Sequence, residues 1–210
     1  MAPVTLCIVS VLGLLVAERK DHAWGRAVFK LSASSAFVWA GVSWGALDSG
    51  FGQWILAGLL LCWLGDAFLL ASGQSLGFGL GIGAFLGGHL SYAVACTRLP
   101  LDAGALAVVG LALAVAATLT LRRMGPHLPR EFRVPVVLYV VVISAMCALA
   151  CAAAALGAPP LLGVGAIGFA VSDLSVARDR FIAESFWNGA WGLPAYFLSQ
   201  LALASTVAAV

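Results

Sequence analysis

The chain is a succession of apolar runs, most of them close to twenty residues long, separated by short polar connections. A helix needs about 20 apolar residues to cross the hydrocarbon of a bilayer, and only helices and closed barrels satisfy their backbone hydrogen bonds there. Eight runs meet or approach that length: 3–17, 31–47, 54–70, 76–96, 103–121, 134–155, 160–177 and 184–207. The predicted fold is therefore all-α, a polytopic membrane helix bundle of about eight transmembrane helices, with residues 1–210 forming one integral-membrane domain. Composition agrees: 62% of residues are hydrophobic and only 10% charged, against roughly 45–50% and about 25% in ordinary globular domains. The same figures exclude intrinsic disorder, a nucleic-acid binder and a disulfide-stapled secreted domain. The first run has charges after it rather than before it, so it reads as a span and not as a cleaved signal peptide. Cys7, Cys62, Cys96, Cys147 and Cys151 lie in or beside apolar runs without a C-x-x-C pair. They read as small buried hydrophobes.

The positions of the cations say more than the net charge of +2. Arg19, Lys20, Arg26 and Lys30 precede the second run, Arg122, Arg123, Arg130 and Arg133 precede the sixth, and Arg178 and Arg180 precede the eighth. An eight-span path puts all of these on one face and leaves only Arg98 on the other. By the positive-inside rule the crowded face is cytoplasmic and both termini are non-cytoplasmic. Arg outnumbers Lys nine to two, and Ala, Gly and Val are abundant. That usage points to a GC-rich bacterial genome, and so to a bacterial inner membrane.

Ionisable groups inside a bilayer are costly and mark function by default. Asp66 and Asp173 each lie about one turn from the predicted cytoplasmic end of their spans, Lys30 opens the second span there, and Glu184 opens the eighth. Deeper polar groups are His89 and Tyr92 on the fourth span, and Asn188, Tyr196 and Gln200 on the eighth. Asp179, between Arg178 and Arg180, reads instead as a local surface pair. Asp66 precedes His89 by 23 residues and Asp173 precedes Tyr196 by the same 23, which suggests a parallel 4+4 repeat bringing the two acids together.

Several chemistries are poorly served by these residues. A catalytic zinc site takes three ligands, usually rich in His, yet only His89 lies within a span; Asp66, His89 and Asp173 are the one combination left. A Schiff base of the retinal kind fails because the last span has no Lys. The G-x-G-D pattern of intramembrane aspartyl proteases meets Trp63 where its first Gly belongs. Two facing carboxyls in a low-dielectric site suit acid–base work: one stays protonated as a general acid while the other steadies a developing cation or positions water. Glycosidases use that division of labour on an oxocarbenium-like transition state, and an acid-labile ether in a lipid would be a natural substrate. The alternatives are a small proton-coupled transporter or a lipid-binding membrane protein.

Four blocks carry a resemblance to a known family. They are Gly65-Asp66-Ala67-Phe68-Leu69-Leu70, the stretch from Gly83 to Tyr92 containing Gly87-Gly88-His89, Ser172-Asp173 with Ala177 and Phe181, and Tyr196-Phe197-Leu198-Ser199-Gln200-Leu201. In this order and spacing the chain resembles the YhhN-like, lysoplasmalogenase family of multi-pass membrane proteins. The likeness runs from about Lys30 to Gln200, with spans five and six matching only as apolar helices. Where that family commonly has Lys-Pro, this chain has Lys30-Leu31. The resemblance implies hydrolysis of the vinyl ether of a lysoplasmalogen, with an ethanolamine or choline headgroup, to a fatty aldehyde and a glycerophospho-headgroup. It implies no metal and no cofactor, with a lysophospholipid and the surrounding membrane lipid as partners. Asp66 and Asp173 would be catalytic. His89, Tyr92, Tyr196, Gln200, Asn188 and Glu184 would line or orient the site, and Lys30 with Arg178 or Arg180 would hold the phosphate. Hydrolysis of another lyso-lipid would use the same groups on a different bond.

Overall fold

The computed structural model describes residues 1–70 and 75–210. Among them are eight long helices: α1 (Ala2–Arg19), α2 (Ala23–Ser43), α3 (Gly50–Leu70), α4 (Ser75–Cys96), α5 (Ala103–Met124), α6 (Arg130–Ala155), α7 (Pro160–Phe181) and α8 (Phe186–Ser205). Their ends follow local chemistry. The His22 ring accepts the Gly25 N–H at 2.8 Å and starts α2. Asp102 caps α5 through Ala105 N–H at 2.6 Å, and Pro160 supplies the fixed φ of a first turn. After α2 and α6 the chain turns through Gly45 and Gly157, whose φ values of +93° and +98° disfavour any side chain.

Seven of these helices are long and apolar enough to cross a membrane. Their outward faces carry bare aliphatic side chains such as Leu12, Val108, Leu111, Val141 and Val164. The chain is a multi-pass integral membrane protein. The remaining long helix, α2, falls short on composition because it carries Arg26, Lys30 and four serines. It lies against α1, α3 and α8, and Ser34 is fully buried there. The second element also sits eight residues earlier than expected at its start. The polar stretch before Leu31 winds as helix once His22 caps it, so Lys30 stands two turns inside α2 rather than at its mouth. A Leu at position 31 keeps that helix unbroken, where Pro would remove an internal hydrogen bond.

The helices pack as four hairpins, α1 with α2, α3 with α4, α5 with α6 and α7 with α8, joined across by α2 on α3 and α8 and by α6 on α4 and α7. Without a hydrophobic force between helices in lipid, close approach depends on small residues. Gly58 of α3 faces the ring of Tyr92 on α4, and Gly65 faces Phe85 one level along. In the other hairpin, Gly192 of α8 faces Ser175 of α7. Phe37, Phe169, Phe197, Tyr92, Leu59 and Met146 fill the centre and are essentially inaccessible.

Candidate active site

A cavity of about 880 Å³ draws its lining from all eight long helices, and both Asp66 and Asp173 line it. Its lining comes from one half of the bundle, the half that ends in the connections after α1, α5 and α7. Leu69, Phe78, Ile82, Ala117, Val140 and Ile167 make most of its wall apolar, and Glu18, Arg26, Arg180 and Glu184 stand at its polar end. Its size is within the range of about 300–1,000 Å³ typical of small-molecule sites.

Asp66, on α3, is buried to 1% exposure and surrounded by donors from two other helices. Ser34 Oγ lies 2.5 Å from its Oδ2, Tyr196 Oη donates to the same oxygen at 2.8 Å, and Lys30 Nζ lies 3.5 Å from Oδ1. Asp173, on α7, receives Tyr139 Oη at 2.8 Å and faces His89 Nε2 at 3.4 Å. The His89 ring is fully buried, with its Nδ1 2.6 Å from the Phe85 carbonyl oxygen. It lies against Phe169 at a centroid distance of 4.3 Å and edge-on to Tyr139 at 5.0 Å. The pairing is crossed: the residue 23 after Asp66 serves Asp173, and the residue 23 after Asp173 serves Asp66.

Other expected residues divide between the site and its scaffold. Tyr196 and Lys30 join Asp66, and His89 joins Asp173 from behind the cavity wall. Tyr92 and Gln200 bond to each other at 2.6 Å, with Cys62 beside them at 3.8–3.9 Å. They clasp α3, α4 and α8 together away from the cavity. Asn188 donates to Asp179 Oδ1 at 2.9 Å and to the Ala183 carbonyl at 2.7 Å. Asp179 also accepts the Ser185 N–H, so it ties the α7–α8 turn rather than pairing with its Arg neighbours. Glu184 is exposed at the cavity mouth, just before the Ser185 cap, and does not open a helix. Arg178 is exposed and lies outside the cavity lining, while Arg180 lines it and stacks over the Phe78 ring at 4.5 Å. Arg26 is engaged by Asp21 at 2.7 Å and Glu18 at 3.8 Å.

Two site residues escaped the sequence reading, Ser34 and Tyr139. Ser34 lies one turn beyond Lys30 on the same face of α2. Tyr139 is one of only three tyrosines in the chain, and a tyrosine inside an apolar span needs a partner for its hydroxyl. Among the described residues, no three His, Cys, Asp or Glu side chains gather in a way that would hold a metal ion.

A sequence model of the YhhN family matches residues 25–207. A lysoplasmalogenase of Mycobacterium bovis is 33% identical over 171 residues, covering 79% of this chain and 63% of that protein. A lysoplasmalogenase of Mycobacterium tuberculosis matches with the same figures. The lysoplasmalogenase TMEM86A of Bos taurus is 31% identical over 156 residues, covering 71% of this chain and 63% of its own length. The chain thus spans about 63% of the length of the curated relatives it matches. No solved structure matches it.

Proposed function

The chain belongs to the YhhN family, and from that premise we propose that it is a hydrolase of vinyl-ether lysophospholipids. The observation that carries this reading is the pair of carboxyls, Asp66 and Asp173, lining one largely apolar cavity. Enol-ether hydrolysis begins with a proton delivered to the vinyl carbon and passes through an oxocarbenium ion that water captures. That reaction asks for one acid, one anion and a slot for an aliphatic chain. The two carboxyls supply the first two, and the wall of Ile82, Ala117, Val140 and Ile167 accommodates the chain.

The polar end suits a zwitterionic headgroup. Arg180 lies over Phe78 at the mouth, and among the described residues no carboxylate is paired with it, so its guanidinium is available for a phosphate. Glu18 and Glu184 supply negative charge for an amine at the same end. The distribution of cations supports a cytoplasmic position for this end and a non-cytoplasmic one for both termini, and usage of Arg, Ala and Gly favours a bacterial inner membrane. Donors to Asp66 come from α2 and α8, and donors to Asp173 from α6 and α4. A shift of four helices interconverts those sets, which supports the 4+4 repeat and a single domain over residues 1–210.

The test is aldehyde release by the purified full chain. The lipids would be lysoplasmenyl-ethanolamine, its acyl counterpart and its saturated-ether counterpart, each with and without chelator. The reading predicts aldehyde from the vinyl ether alone, unaffected by chelator. Fatty acid from the acyl lipid would move the activity to another lyso-lipid bond, and solute flux in proteoliposomes without any product would replace hydrolysis with transport.

A further inference from the structure

We propose, resting on the vinyl-ether reading above, that only one of the two acids has a proton at its disposal at rest: His89 and Asp173 share one proton and form the general acid, while Asp66 is ionised without one. The argument is a count of donors and acceptors. The Phe85 carbonyl oxygen only accepts, so His89 Nδ1, 2.6 Å away, must carry a hydrogen. In a neutral ring Nε2 is then a lone pair. Nε2 is buried without a hydrogen-bond partner and faces Asp173 Oδ2 at 3.4 Å. Two acceptors opposed at that distance in a dry site repel unless one proton lies between them. The ring has no freedom to turn away, because Phe169 covers its face and Tyr139 its edge.

Asp66 is surrounded in the opposite sense. A lysine ammonium and two hydroxyls all point hydrogens at it. Ser34 also reaches the Lys30 carbonyl at 3.0 Å, and the shorter contact, to Asp66, takes its hydrogen. Lys30 and Asp66 then cancel, and a proton shared by His89 and Asp173 keeps the whole cluster neutral. A second bare carboxylate would leave an uncompensated charge inside the bilayer.

The assignment gives a balanced reaction. The shared proton passes from Asp173 to the vinyl carbon remote from oxygen; the double-bond electrons form the new C–H bond and leave an oxocarbenium ion near the Asp66 carboxylate. Water adds its oxygen to that cation and gives a proton to Asp66, forming a hemiacetal. Asp66 then protonates the glyceryl oxygen as the C–O bond breaks. The hemiacetal hydroxyl proton returns to Asp173 as the aldehyde forms, so both acids regain their starting states. Asp173 lines the cavity and is the catalytic acid. His89 does not line it and acts as a positioning residue.

Infrared spectroscopy of the full chain in nanodiscs, with aspartate isotopically labelled at its side-chain carboxyl, reads the proton directly; nitrogen NMR reads the ring. The expected result is a carboxylic-acid C=O band lost in Asp173→Asn and kept in Asp66→Asn, or a doubly protonated ring signal lost in His89→Gln. A singly protonated His89 beside an ionised Asp173, or an acid band that vanishes only in Asp66→Asn, overturns the assignment. In turnover, His89→Gln should lower kcat by about a hundredfold or more with KM unchanged; a change confined to KM would make His89 a packing residue and also overturn it. The spectroscopic arm needs no turnover. A wild type that shows the expected signal but releases no aldehyde would contradict the reaction proposed above and leave the proton assignment standing.

Discussion

At the scale of single residues, the site is a set of buried charges that tolerate one another only in their present arrangement. Removing one member of a buried ion pair costs about 3–5 kcal/mol, because the other is left without its partner. Lys30→Met should therefore lower the thermal stability of the detergent-solubilised protein markedly. Combining it with Asp66→Asn should restore most of that loss without restoring activity, and a Lys30→Met protein as stable as wild type would contradict the pairing. Loss of a general acid or base typically removes a factor of about a hundred to ten thousand in rate. Asp66→Asn and Asp173→Asn should each fall by that much in steady-state aldehyde release while still eluting as folded protein on size-exclusion chromatography. At the mouth, Arg180→Gln should raise KM for the phospholipid with little change in kcat, since a phosphate contact far from the reacting carbon is made equally in ground and transition states.

At the scale of elements, the closeness of α3 to α4 rests on glycines. A Cβ at Gly58 would overlap the buried ring of Tyr92, and overpacking of that kind costs about 1–3 kcal/mol. Gly58→Ala should lower the melting temperature, whereas Gly79→Ala, where a Cβ would meet nothing within 4 Å, should leave it unchanged. Seven of the helices were legible because apolar length is a strong signal and lipid permits little else. The second was misplaced because its first two turns carry two cations: hydropathy sees Arg26 and Lys30 as a connection, and only the His22 cap and the packing against α1 reveal helix. Asp66, Asp173, Lys30, His89 and Tyr196 could be found from the rarity of polar groups in spans. Tyr92 and Gln200 carried the same signal yet bond each other, since hydropathy alone does not say which face of a helix looks into the cavity. Ser34 was invisible for a related reason: serines are common in spans, and its importance comes from lying one turn from Lys30.

At the scale of the whole molecule, the cavity and the cations share one end, so chemistry and orientation are linked. With that end cytoplasmic, Arg123→Cys should react with a membrane-impermeant thiol reagent only after the membrane is opened, and Arg98→Cys should react in intact cells. The reverse pattern would place the site on the outer leaflet. The central claim is that an acid in this cavity protonates a vinyl carbon, and running the hydrolysis in deuterium oxide tests it most directly. The account predicts that mass spectrometry of the released fatty aldehyde finds one deuterium on the carbon next to the carbonyl, and that Asp173→Asn abolishes its formation. Aldehyde released without that deuterium, or formed at the wild-type rate by Asp173→Asn, would contradict it.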